Sequence, residues 1–189
     1  MVKLGAKELR VSEPTESELA KVKRREIYII CDNVLDTYNI GSIFRLADAV
    51  AAKCVYLCGK SETPPNSRIS KASVGTEKWV EWEYRATAVE AIEDLRKLYA
   101  HPRGVQRRSQ AHPGGELRIV AIEQYPKAID FRKADYREPV AFVVGNETTG
   151  VSKEALKLAD QIVEIPMFGV NRSLNVMVSL AIVLYQAIK

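Results

Sequence analysis

A chain of 189 residues, 47% hydrophobic and 28% charged, has room for one domain with a sizeable core and is neither fibrous nor disordered in composition. Its net charge of +4 and pI near 8.9 suit a polyanionic partner without demanding one. The N-terminal MVKLGAKELRVSEPTESEL lacks the apolar centre of a signal peptide, and the longest uncharged stretch, 173–188, is too short and too interrupted by Ser, Asn and Gln to span a bilayer. The odd count of three cysteines, Cys31, Cys54 and Cys58, without metal-ligand spacing, reads as reduced thiols on buried strands of a cytoplasmic protein.

Residues 1–25 are polar and read as an N-terminal basic extension. Thr15 and Glu18 have capping-box spacing, so a short helix is expected to run from there through Lys21, Lys23, Arg24 and Arg25. Those four cations read as a solvated helix end or as an RNA-facing patch. Regular α/β alternation starts at Glu26. EIYIIC (26–31) and KCVYLC (53–58) read as buried strands, with NIGSIFRLADAVA (39–51) a helix between them. SETPPNSR (61–68) reads as a loop, EKWVEWEY (77–84) as a strand, and TAVEAIEDLRKLYA (87–100) as a helix with Val89, Ile92, Leu95 and Tyr99 inward. The Gly-, Pro- and Arg-rich 101–116 reads as a mobile loop carrying both histidines, His101 and His112, and the cations Arg103, Arg107 and Arg108. LRIVAI (117–122), PVAFVV (139–144) and QIVEIP (161–166) are three further strands, SKEALKLA (152–159) a short helix, and 173–188 a closing helix. Strands separated by helices predict an α/β fold: a mostly parallel sheet with helices on both faces.

In such sheets ligands bind beyond the carboxyl ends of strands, and three strand ends here are polar and glycine-bearing. The first leads through Asn39 and Gly41 into a helix carrying Arg45. Asn39 suits a helix cap, Gly41 a close approach of backbone to a ligand. Arg45, placed by these bounds near the helix start, opposes the dipole and reads as a surface ion pair or a functional cation. The second is Gly145-Asn146-Glu147-Thr148-Thr149-Gly150, where a plain turn or a ligand contact would each explain the glycines. The third runs from Pro166 to Asn175, with Ser173 suited to cap the last helix and Asn175 inside its first turn. No Rossmann or Walker glycine fingerprint occurs, nor a zinc or nucleophile-elbow pattern.

Taken together and in order, the three loops resemble the motifs of the SpoU/TrmH branch of the SPOUT methyltransferases: Asn39, Gly41 and Arg45; then Gly145, Glu147 and Gly150; then Ile165-Pro166-Met167 followed by Ser173-Leu174-Asn175-Val176. The resemblance covers about 26–189, read as the methyltransferase domain. It departs from the family at Met177-Val178-Ser179, where S-V-A is common, an expected change of packing. The resemblance implies a C-terminal trefoil knot and S-adenosylmethionine as cofactor, bound by Gly145, Asn146, Ile165, Met167, Leu174 and Asn175. It implies transfer of a methyl group to a ribose 2′-hydroxyl of RNA, with Arg45 acting on the hydroxyl beside Asn39, Glu147, Ser173 and Asn175, and with no metal. The absence of an added ribosomal-RNA-binding domain favours tRNA over rRNA, a catalytically silent RNA-binding module being the other alternative. The final helix is apolar almost all round, which predicts a second apolar surface and hence a homodimer; the resemblance adds active sites shared between subunits.

Overall fold

The computed structural model describes residues 5–9, 12–100 and 115–189. The Arg/Gly loop, its histidines and Arg103, Arg107 and Arg108 therefore lie almost wholly outside the described residues. Seven strands, β1 (Arg25–Asp32), β2 (Ala52–Cys58), β3 (Trp82–Arg85), β4 (Arg118–Ile122), β5 (Ile129–Asp130), β6 (Val140–Gly145) and β7 (Gln161–Glu164), form one sheet in the order β3-β2-β1-β6-β4-β7-β5. Every pairing is parallel. The helices are α1 (Ala6–Leu9), α2 (Glu16–Leu19), α3 (Thr37–Ala49), α4 (Ser67–Ser73), α5 (Ala88–Tyr99), α6 (Lys153–Leu158) and α7 (Val176–Ala187).

Successive strand residues point to opposite faces, so a strand covered on both sides must be apolar throughout. β1 meets that demand. Ile27, Ile29 and Cys31 join Phe44 of α3 and Leu180, Val183 and Leu184 of α7 in one core. Tyr28 and Ile30 join Ile92 and Leu95 of α5 and Ala155 of α6 in the other. The predicted α/β class and two-sided cover are what the structure has, and all three cysteines are buried strand residues without disulfides.

Several local expectations are corrected. The capping box at Thr15 and Glu18 forms, but its helix ends at Leu19. Arg24 and Arg25 are not a helix end: Arg24 pairs with Asp48 at 3.6 Å, and Arg25, already in β1, pairs with Glu138 at 2.5 Å. Residues 77–84 are not one strand. Thr76–Lys78 forms a 3-10 turn, Trp79 donates to Asp48 at 2.9 Å, and the strand starts only at Trp82. The loop expected over 61–68 gives way to helix at Ser67, where α4 starts because Asn66 caps it through the amides of Arg68 and Ile69.

Gly41 serves packing, not a ligand. It is buried in α3 against α4, where an added β-carbon would lie 2.5 Å from the Ile69 carbonyl oxygen and 2.6 Å from the Ala72 β-carbon. Gly41→Ala is therefore expected to separate the two helices, costing about 1–3 kcal/mol. A thermal melt of the variant, lower than wild type by several degrees, checks this; an unchanged melt contradicts it.

Most described arginines are held by carboxylates. Arg24, Arg25, Arg85, Arg96, Arg118, Arg132 and Arg137 each make an ion pair. Arg45, Arg68 and Arg172 are exposed and make none among the described residues.

Candidate active site

The carboxyl ends of β4, β6 and β7 are neighbours in the sheet, and the loops leaving them surround a cavity of about 480 Å³. Ile122, Val144, Val163, Ile165, Met167 and Leu174 supply apolar wall; Asn146, Glu147, Asn171, Ser173 and Asn175 supply polar groups. This size and mixture fit a small organic ligand.

The polar wall is organised around one carboxylate. Glu147 accepts from the amides of Leu35 and Asp36, each at 3.1 Å, and from Asn39 Nδ2 at 3.0 Å. Asn39 Oδ1 in turn accepts from Asn175 Nδ2 at 2.9 Å. Asn175 Oδ1 receives the amides of Met177 and Val178 at the start of α7. A single run of hydrogen bonds thus ties the first turn of α3, the loop after β6 and the start of α7. Partial burial pushes the Glu147 carboxyl up, but the bonds from Asn39 and from backbone amides, those of Leu35 and Asp36 among them, outweigh it and hold the group below its ordinary value. A carboxylate so engaged anchors its neighbours; it is not poised to take a proton.

Two capping expectations change here. Asp36, not Asn39, caps α3 through the Tyr38 amide at 2.7 Å. Asn39 lies inside the first turn, 7% exposed, and its side chain is free to join Glu147 and Asn175. Asn175, not Ser173, caps α7. Ser173 is exposed at the cavity rim, its amide bonded to Asn171 at 3.2 Å.

Of the expected site residues, Gly145, Asn146, Glu147, Ile165, Met167, Ser173, Leu174 and Asn175 line the cavity. Asn39 stands behind the rim, bonded to two of them. Arg45 does not line it. It sits well along α3, which begins at Thr37, rather than in a first turn, and is exposed. The dipole argument for its function therefore falls, as does the surface ion pair among the described residues.

Sequence reasoning missed Glu123 and Gln124, which leave β4 and line the cavity. Glu123 accepts from the Val151 amide at 2.8 Å and faces Gly150, whose φ of +71° and close approach leave no room for a side chain. Gln124 donates to the Arg172 carbonyl, joining the loop after β4 to the one before α7. A polar pair directly after apolar LRIVAI was the available signal, of the same kind as the other strand ends.

A family model described as "SpoU rRNA Methylase family" matches residues 26–185. The tRNA (guanosine(18)-2'-O)-methyltransferase of Escherichia coli K12 is 31% identical over 173 residues, which are 90% of this chain and 66% of that protein. The chain thus spans about two thirds of that relative's length. The crystal structure of the Aquifex aeolicus TrmH/SpoU tRNA modifying enzyme superposes with a TM-score of 0.72 at 30% identity, over 96% of this chain and 80% of that one. An AdoMet-bound rRNA methyltransferase from Sinorhizobium meliloti gives 0.71 at 26% identity, over 95% of this chain and 59% of that one. With the three motif loops assembled around one cavity and the match spanning nearly every strand and helix of the sheet, the chain belongs to the SpoU rRNA methylase family.

Proposed function

We propose that this protein transfers the methyl group of S-adenosylmethionine to a ribose 2′-hydroxyl of RNA, with tRNA preferred over rRNA. The observation that carries the reading is the Glu147–Asn39–Asn175 run, which joins the three motif loops at the mouth of one cavity. Mere RNA binding needs only positive surface, so a silent module does not account for it.

The cavity fits the cofactor. Apolar Ile122, Val144, Ile165, Met167 and Leu174 suit an adenosyl group, while the space beside Gly145 is filled by the backbone of Gly150 and Val151, which keeps that loop tight. Backbone around 145–146, 165–167 and 174–175 would hold it. The bound sulfonium supplies an activated methyl group, so the protein's task is alignment, which can contribute up to ~7–11 kcal/mol for well-placed reactants. Glu147 fixes Asn39, Asn39 fixes Asn175, and Asn175 fixes the start of α7. Arg45 is assigned to the hydroxyl. A guanidinium keeps its charge, so it would stabilise the developing alkoxide as the hydroxyl proton passes to water and the sulfonium sulfur leaves as a neutral thioether, or hold the adjacent phosphate.

Arg45 lies outside the cavity of its own chain, which supports a homodimer in which it serves the partner's site. Val178 and Tyr185 of α7, 37% and 52% exposed, and the exposed Phe168 and Val170 of the segment that precedes α7 in the chain offer apolar surface for that contact. The reading includes the C-terminal trefoil knot that family membership implies, a catalytic domain at 26–189 after the extension 1–25, and a cytoplasmic setting in keeping with three free thiols. No helix among the described residues is long and apolar enough to cross a membrane.

Calorimetry against S-adenosylmethionine and NAD tests the cofactor: micromolar binding of the first and none of the second is expected, and the reverse overturns the proposal. Mapping ribose 2′-O-methylation in RNA from cells with and without the gene tests the acceptor and separates tRNA from rRNA.

A further inference from the structure

Glu147 is held from one side by Leu35, Asp36 and Asn39, but its loop needs a fixed height as well. A second set of bonds to that loop leaves the exit of β1. Asn33 is a non-glycine residue with φ of +56°, the left-handed region where Asn is among the few residues tolerated. Its side chain is engaged at both ends: Nδ2 donates to Asp32 Oδ1 at 2.9 Å, and Oδ1 accepts from the Lys60 amide at 3.1 Å, just past β2. Its carbonyl, aimed by that backbone, accepts from Asn146 Nδ2 at 2.9 Å. Asn146 Oδ1 then accepts from the amides of Thr148 and Thr149 at 2.9 and 3.0 Å, shaping the turn that carries Glu147. Asp32, 2% exposed, adds a bond from the Ser152 amide at 2.8 Å beyond the same turn.

We propose that Asn33 is a positioning residue for the cofactor cavity, acting through Asn146 to place the Glu147 loop. Asn33 does not line the cavity. It clamps the exits of β1, β2 and β6 together, so the segment 33–36 and the segment 145–149 are laced at two points, Asn33 to Asn146 and Leu35/Asp36 to Glu147. With only the second lace, the cavity wall formed by Asn146, Glu147 and Thr148 can shift as a unit. The inference rests on the cofactor reading for its measurement.

The test uses Asn33→Gly, which keeps the left-handed backbone and the carbonyl but removes the side-chain clamp. Expected are a melt within a few degrees of wild type, about tenfold weaker S-adenosylmethionine binding by calorimetry, and a matching rise in KM for it, with kcat changed less. Combined with Asn146→Ala, the loss should be clearly smaller than the product of the two single losses, since contacts in one chain are non-additive. Gly59→Ala is an independent variant: a β-carbon there overlaps the Asn33 amide, so it displaces the clamp without altering Asn33 and should weaken binding likewise. Wild-type affinity in Asn33→Gly, or losses that multiply in the double variant, overturns the proposal. If Asn33→Gly does not fold, Gly59→Ala with unchanged affinity overturns it instead. Wild-type protein that binds no S-adenosylmethionine at all overturns the functional reading itself, a separate outcome.

Discussion

Leu174→Arg is expected to weaken S-adenosylmethionine binding at least a hundredfold while leaving the fold intact. Leu174 lines the cavity and is 36% exposed, so it supports no packed core. It immediately precedes Asn175, whose cap on α7 depends on side-chain and backbone atoms the substitution leaves in place. A guanidinium on this wall takes up ligand space and sets a positive charge beside a cationic sulfonium. A hundredfold loss corresponds to about 2.7 kcal/mol, within reach of a blocked apolar pocket. Calorimetry with a parallel thermal melt reads both halves of the expectation. Micromolar affinity in the variant would place the ligand elsewhere, and a collapsed melt would make Leu174 structural.

Mixing two dead proteins should restore activity. Arg45→Ala and Leu174→Arg are each expected to be inactive as homodimers, the first lacking the cation and the second the cofactor. Because Arg45 is exposed on α3 and does not line its own cavity, a site completed across a two-fold axis takes its cation from one chain and its cavity from the other. In the heterodimer both defects then fall in one site and the second is intact, giving about half of the activity of a wild-type dimer. If each site were contained in one chain, both heterodimer sites would carry a defect. A mixture that stays inactive, with heterodimers confirmed by native mass spectrometry, would falsify the shared site. A stable monomer in sedimentation at micromolar concentration would remove the premise.

The fold class was legible because burial on both faces forces continuous apolar runs, and EIYIIC, KCVYLC and PVAFVV have little else to be. The site was legible as three polar strand exits. Its inner wiring was not. Asn39 and Ser173 both fit the local grammar of caps, yet Asp36 and Asn175 do the capping. Local sequence cannot rank several capping residues spaced within one turn; Glu147, 108 residues from Asn39, decides the matter by accepting its amide. Gly41 misled for a related reason. A glycine in a motif suggests room for a ligand, but the space it leaves is filled by α4, a helix hidden behind its Pro- and Asn-rich start. Asn33 stood in the first polar strand exit without a role, since its left-handed backbone becomes visible only with the neighbouring strands in place.

The pairing of arginines has a consequence for how this protein would meet a nucleic acid. Binding to a phosphate backbone gains much of its free energy from the counterions that each new cation releases, and a guanidinium already beside a carboxylate has few to displace. Among the described arginines only Arg45, Arg68 and Arg172 are uncommitted. Each of these three that meets a phosphate adds ~0.7–0.9 to the salt slope, and a paired arginine adds less. The described guanidiniums would therefore contribute less to a grip on phosphate than their number suggests, most of their charge being already spent inside the protein.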